Sequence, residues 1–175
     1  HNVDPVIITT LPKDDNYTIF IHDAIYRGRE DFNYRIHLGV IPFVTGRYPA
    51  YGTVGKSVKQ RLAGVNLDAT TAKVKVKKEG YNQLIYTDSK GASNAVPFYA
   101  LPKGVKLVQN PKEGALLTFS SAISDCLTSN AKIKRYRLYA EAKQPVIVEL
   151  IGRRNGSGID AVMRLRDQYG KVVAK

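Results

Sequence analysis

The sequence predicts an all-β protein built from β-sandwich modules, on three observations. Short runs rich in Val, Ile, Thr, Tyr and Phe recur about every ten residues. Clusters of Gly, Pro, Asp and Asn separate them, as turns require. No segment sustains the 3.6-residue apolar period of an amphipathic helix, so helix content is expected to be low.

Taken in order, residues 6–11 (VIITTL) read as a strand ending at Pro12, and 17–22 (YTIFIH) as a second. The turn Lys13-Asp14-Asp15-Asn16 makes the pair a hairpin. The polar stretch 23–31, centred on Gly28, is a loop. Residues 32–38 alternate, with Phe32, Tyr34, Ile36 and Leu38 on one face and Asn33, Arg35 and His37 on the other. Beyond that hairpin these strands have no further sheet partners nearby in sequence, so this end reads as an incomplete unit.

The pattern restarts at Pro42. Strands are predicted from Phe43 and over 57–63, 73–78, 83–87 and 95–100, with turn-rich sequence at 47–55, 64–67, 79–80 and 88–94. Leu101-Pro102-Lys103-Gly104 has the composition of a linker. Beyond it, 105–108, 116–119, 133–140, 145–151, 161–167 and 172–174 are strand candidates, with Tyr136 and Leu138 facing inward and a tight turn at 168–171. The expected pieces are therefore residues 1–40, 41–103 and 104–175.

Composition narrows the class. No apolar run approaches the roughly 18 residues of a membrane span. His1 is not an initiator Met and no basic-then-apolar leader follows it, so any signal peptide is expected upstream or already removed. The one cysteine, Cys126, precludes an internal disulfide and reads as a small buried apolar residue. The net charge of +12 is unevenly placed. Residues 1–41 carry four basic and six acidic side chains, residues 42–104 ten and three, and residues 105–175 thirteen and six. No long basic arm results, which argues against nucleic acid as the partner.

The densest cluster is Lys73-Val74-Lys75-Val76-Lys77-Lys78, where Lys73, Lys75 and Lys77 alternate with valines. That spacing places them on the solvent face of a strand, either simply hydrated or serving as an anion-binding surface. Arg153-Arg154 stands between a strand and a Gly-rich loop, and two guanidinium groups there suit the sulfate or carboxylate groups of an acidic glycan, although a solvated loop accounts for the same residues. Tyr48 and Tyr51, with Tyr81 and Tyr86, form a candidate contact surface, although core tyrosines would give the same pattern.

No catalytic residue is assigned. The sequence holds no Gly-x-Ser-x-Gly elbow, no His-Glu-x-x-His and no paired-cysteine spacing. His22 and Asp23, as strand neighbours, point to opposite faces. Cys126 has no helix start or basic neighbour to activate it. The oxygens of Asp4, Asp14, Asp15 and Asn16 suit calcium, but a capped turn accounts for the same residues. No metal or cofactor is therefore expected.

Residues 136–174 carry a motif pair, Gly156-Ser157-Gly158-Ile159-Asp160 and Asp167-Gln168-Tyr169-Gly170-Lys171. On these residues the segment resembles the first half of a bacterial pre-peptidase C-terminal domain. Residues 11–23 followed by 32–36 resemble the second half of that family. The middle, with Ile41-Pro42-Phe43-Val44-Thr45, Tyr48-Pro49, Gly52-Thr53-Val54-Gly55 and 62–67, is similar to the Ig-like domains of plexins and transcription factors. The resemblance implies a jelly-roll-like sandwich made from both chain ends, closed within one chain or by exchange between chains, and an Ig-like sandwich between them, unless the chain is one stretch of a longer array, as in multi-domain surface proteins of planctomycete-like bacteria. The halves stand in reversed order, and the Asp-Asp segment that usually follows is absent, which removes support for a calcium site.

The resemblance implies a non-catalytic, secreted or cell-envelope module for adhesion, polymer binding or assembly. Its partners would be cell-wall or extracellular polysaccharide, another surface protein, or a second copy exchanging half-sandwiches. Two alternatives stand beside it: an electrostatic binder of polyanions, and an accessory or processing segment of a secreted peptidase.

Overall fold

The computed structural model describes residues 4–175. They are all-β: short strands, one 3-10 turn and no α-helix. The described residues divide into a unit of 4–39 and a unit of Val40–Lys175.

In the first unit no described residue belongs to a strand, so the strands expected at 6–11, 17–22 and 32–38 do not form. Alternation defines a face, but a strand also needs a neighbour to take its N–H and C=O groups. Local order comes from side chains instead. Asp23 accepts the Ile25 and Arg27 backbone N–H groups and Arg27 Nε. His22 stacks on Tyr26 with ring centres 4.5 Å apart. Asp15 takes the Asn16 N–H at 2.8 Å and Lys13 Nζ at 2.7 Å.

The second unit is organised by two three-stranded sheets. One has the order β1 (Phe43–Tyr48), β3 (Ser57–Val65), β4 (Thr71–Lys75). The other has the order β2 (Tyr51–Thr53), β8 (Val96–Leu101), β5 (Gly80–Leu84), with the small hairpin β6 (Thr87–Asp88) and β7 (Gly91–Ala92) between β5 and β8 in sequence. β3 shows why these residues form strands: Val58, Gln60 and Leu62 are buried while Lys59, Arg61 and Ala63 are exposed. β8 does the same with Val96, Phe98 and Ala100. Both sheets contribute to one core of Val58, Val76, Phe98 and Ala100.

Gly52 is required at the crossing of the sheets, because a Cβ there would lie 2.7 Å from Val76 Cγ2 and 3.0 Å from Phe98 Cζ. The stretch 47–55, expected as a turn-rich excursion, is instead where the chain changes sheets, from β1 through a cis Tyr48–Pro49 peptide into β2. Buried Gln60 serves this switch, donating to Pro49 O at 2.5 Å and accepting the Tyr86 hydroxyl at 2.6 Å. The edge of β1 is occupied by Asn94, which accepts the Val44 N–H at 2.7 Å and donates to Val44 O at 3.1 Å.

Register fixes the direction of travel. Phe43 pairs with Val65 at one end of β3. Leu101 O accepts the Val54 N–H in the β2–β3 connection, at the Ser57 end. The chain therefore joins this pair of sheets at one end of β3 and leaves it at the other.

After Leu101 the strands are short. β9 (Lys106–Gln109) runs parallel to β11 (Ser121–Ser124), and β10 (Leu116–Leu117) parallel to β12 (Arg137–Leu138). β13 (Leu165–Arg166) and β14 (Val172–Ala174) form a hairpin. Residues 145–151 form no strand, and 133–140 and 161–167 pair only over two residues each. These runs, like 6–38, find little or no ladder, and Ile147 is 94% exposed. Tyr136 is half-buried as expected, and Leu138 also.

Candidate functional site

Sheet pairing gathers cations that are scattered in the sequence. Lys59 stands opposite Lys73, Ser57 opposite Lys75, and Arg61 opposite Thr71 and Tyr48. Partners in register share a face, and Lys59, Arg61, Lys73 and Lys75 are all exposed. β1, β3 and β4 contain no Asp or Glu. Among the described residues none of the four cations forms an ion pair. Arg61 lies over the Tyr48 ring, its guanidinium carbon 5.9 Å from the ring centre. Like charges directly opposite one another destabilise a sheet, so the Lys59–Lys73 pair costs stability that a bound anion would return. Lys77 is exposed but lies past the end of β4, beyond buried Val76.

The outer face of the second sheet differs. Tyr51, Tyr99 and Tyr81 are direct cross-strand neighbours, packed edge to face with ring centres 6.5 and 4.8 Å apart. The chain's own residues 149–160 bear on this row. Tyr51 Oη donates to Ile151 O, and the Arg154 guanidinium carbon is 6.0 Å from the Tyr81 ring centre. The 3-10 turn Arg153–Asn155 buries Asn155 to 3% exposure. Asn155 Nδ2 donates to Ala50 O at 2.8 Å, while its Oδ1 and backbone O accept from an Arg47 terminal nitrogen at 3.3 and 3.2 Å. Burial lowers the Arg47 pKa, with neighbouring Tyr86 and Tyr51 opposing.

Arg153 and Arg154 are each occupied: Arg153 pairs with Asp160 at 3.3 Å, and Arg154 with Glu149. Their arrangement is that of a braced loop. Tyr48 is likewise committed, its hydroxyl 2.6 Å from Asn110 Oδ1 and 3.0 Å from Ser124 O. Tyr86 turns inward to Gln60, so the four tyrosines grouped from the sequence do not form one surface.

A further polar cluster stands after β11. Asp125 accepts the Tyr136 hydroxyl at 2.6 Å and Lys134 Nζ at 3.1 Å. Burial would raise the Asp125 pKa, but these donors and the Cys126 amide outweigh it and hold the carboxyl low. Cys126 itself is exposed, against the expectation of burial. Its neighbour Ser124 occupies the buried position, 2% exposed. Partial desolvation and Asp125 raise the thiol pKa, so it is not an activated nucleophile. His22 Nδ1 lies 2.9 Å from the Asp23 backbone O, and the Asp23 carboxylate is held by Arg27.

Lys59, Arg61, Tyr99 and Asn155 were not identified from the sequence. Alternation through 57–63 marks Lys59 and Arg61 as facing outward, but their register against Lys73 is a property of pairing. No family model, curated protein or solved structure matches the chain.

Proposed function

We propose that this chain is a non-catalytic module of the bacterial cell envelope or exterior that holds an acidic polysaccharide on the β1–β3–β4 face. The observation that carries the reading is the uncompensated set Lys59, Arg61, Lys73 and Lys75 on one exposed face. Cations two residues apart along a strand repeat about every 7 Å, and adjacent strands lie about 5 Å apart. That is a grid of charge suited to an extended anionic chain, without the aromatic platform on which free bases stack. The proposal takes the two sheets as an Ig-like sandwich that presents the grid on a rigid support. The resemblance of the flanking segments to pre-peptidase C-terminal halves supports the envelope setting.

The test is retention on polygalacturonate, on an uncharged glucan and on duplex DNA across a salt series. The triple variant Lys59→Ser/Lys73→Ser/Lys75→Ser is expected to weaken polygalacturonate binding about tenfold or more, since each neutralised contact shifts the salt dependence. Unchanged binding by the variant would remove this face from the reading. Equal retention on DNA, lost by about 0.3 M salt, would make charge alone responsible.

A further inference from the structure

Exposed apolar surface is concentrated at the two ends of the chain. Of the thirty-two exposed large hydrophobic residues among those described, sixteen lie in residues 6–41 and eleven in residues 133–173. Phe20 and Ile7 are 86% and 82% exposed, and Ile147 and Tyr169 are 94% and 86%. These are also the regions where alternating sequence finds little or no ladder. Backbone N–H and C=O groups beside uncovered apolar side chains are a template for further strand pairing.

The two ends also complement each other. Residues 1–41 carry six acidic against four basic side chains, and residues 133–175 carry ten basic against four acidic. Opposite net charge favours pairing of unlike ends over pairing of like ends. The chain enters the sheets at the Phe43 end of β3 and leaves them at the Ser57 end. Nine residues of strand separate those points by about 27 Å.

We propose that residues 4–38 of one copy pair with residues 133–174 of a second copy. The shared β-structure then lies between chains and joins copies head to tail. Such a contact is heterologous, so repetition gives a ring or an open filament. The inference is independent of the cationic face: it uses none of Lys59, Arg61, Lys73 or Lys75.

The experiment mixes full-length ¹⁵N-labelled and unlabelled protein, then applies a lysine-reactive cross-linker and identifies the linked peptides. Lys13 is expected to join Lys143 or Lys171 in mixed-isotope pairs, with sedimentation showing a mass that rises with concentration. The variant Ile147→Asp is expected to weaken association about tenfold or more, while the amide spectrum of β3 and β8 stays unchanged. Three results would each overturn the proposal. They are Lys13 links found only within one isotope, a 19.4 kDa monomer at every concentration, and association undiminished by Ile147→Asp.

Discussion

β3 and residues 145–151 make an instructive pair. The second, Pro-Val-Ile-Val-Glu-Leu-Ile, is much the richer in β-branched and apolar residues. The first, Ser-Val-Lys-Gln-Arg-Leu-Ala-Gly-Val, contains two cations and a glutamine. Yet β3 is the central strand of its sheet, paired on both sides, and residues 145–151 form no strand at all. Strand formation is thus decided by partners more than by composition. β3 has β1 on one side, β4 on the other, and Phe98 across the core. Among the described residues, no strand pairs with 145–151.

The sharpest way to break this comparison is to delete one side chain from each region. Phe98 is 1% exposed and sits among Val58, Val76 and Ala100. Phe98→Ala is expected to cost about 3–5 kcal/mol, because it removes buried apolar area and leaves a cavity. Ile147→Ala, at a 94% exposed position, is expected to change stability by less than about 0.5 kcal/mol in dilute solution. Urea unfolding followed by tyrosine fluorescence measures both. A loss at Ile147 comparable with that at Phe98 would mean that residues 145–151 are buried within the single chain.

Asn155 tests the junction between the two behaviours. It lies on the sparsely paired side of the molecule but is itself buried, tied to Ala50 and Arg47. Asn155→Ala leaves the Ala50 carbonyl with only the longer bond from the Tyr99 N–H, at 3.4 Å, and leaves Arg47 with fewer partners, when its Nε already has none. The expected cost is about 1–3 kcal/mol. Faster hydrogen exchange at 151–156, with β3 unaffected, would locate that loss at the loop. Unaltered exchange there would show that the Asn155 contacts contribute little.

The same contrast explains what the sequence could disclose. The all-β class followed from period-two patterns and turn residues, both local. The strand at 57–63 and the strand at 95–100 were legible because alternation and partners coincide there. At 6–11, 17–22 and 145–151 the pattern was equally good and the partner was missing. The cationic face was half legible: Lys73 and Lys75 stand in one run, but Lys59 and Arg61 join them only through the β3–β4 register. The tyrosine row and the Asn155 contact depend on residues about fifty to a hundred positions apart. Arg153 and Arg154 looked available in the sequence because their carboxylate partners, Asp160 and Glu149, become neighbours only through the turn.

The smallest effect concerns the loop that ties β6 and β7 to the end of β3. Asp68 accepts Lys90 Nζ at 2.7 Å, the Ser89 hydroxyl at 2.5 Å and the Ser89 N–H at 3.0 Å. The Lys90 hydrogen bond, with those from Ser89, lowers the Asp68 pKa from the ordinary 3.8 to about 2. A carboxyl depressed in the folded state favours folding at every pH above its unfolded value. Asp68 therefore contributes fully above about pH 4 and loses that contribution as pH falls toward 2. The group is exposed to solvent, so the effect on global stability is small and weakens with salt. Carboxyl-detected NMR titration of Asp68 should give a midpoint near 2, and Lys90→Met should move it back toward the ordinary carboxylate range. A midpoint unmoved by Lys90→Met would assign the depression to Ser89 alone and leave the loop without its ion pair.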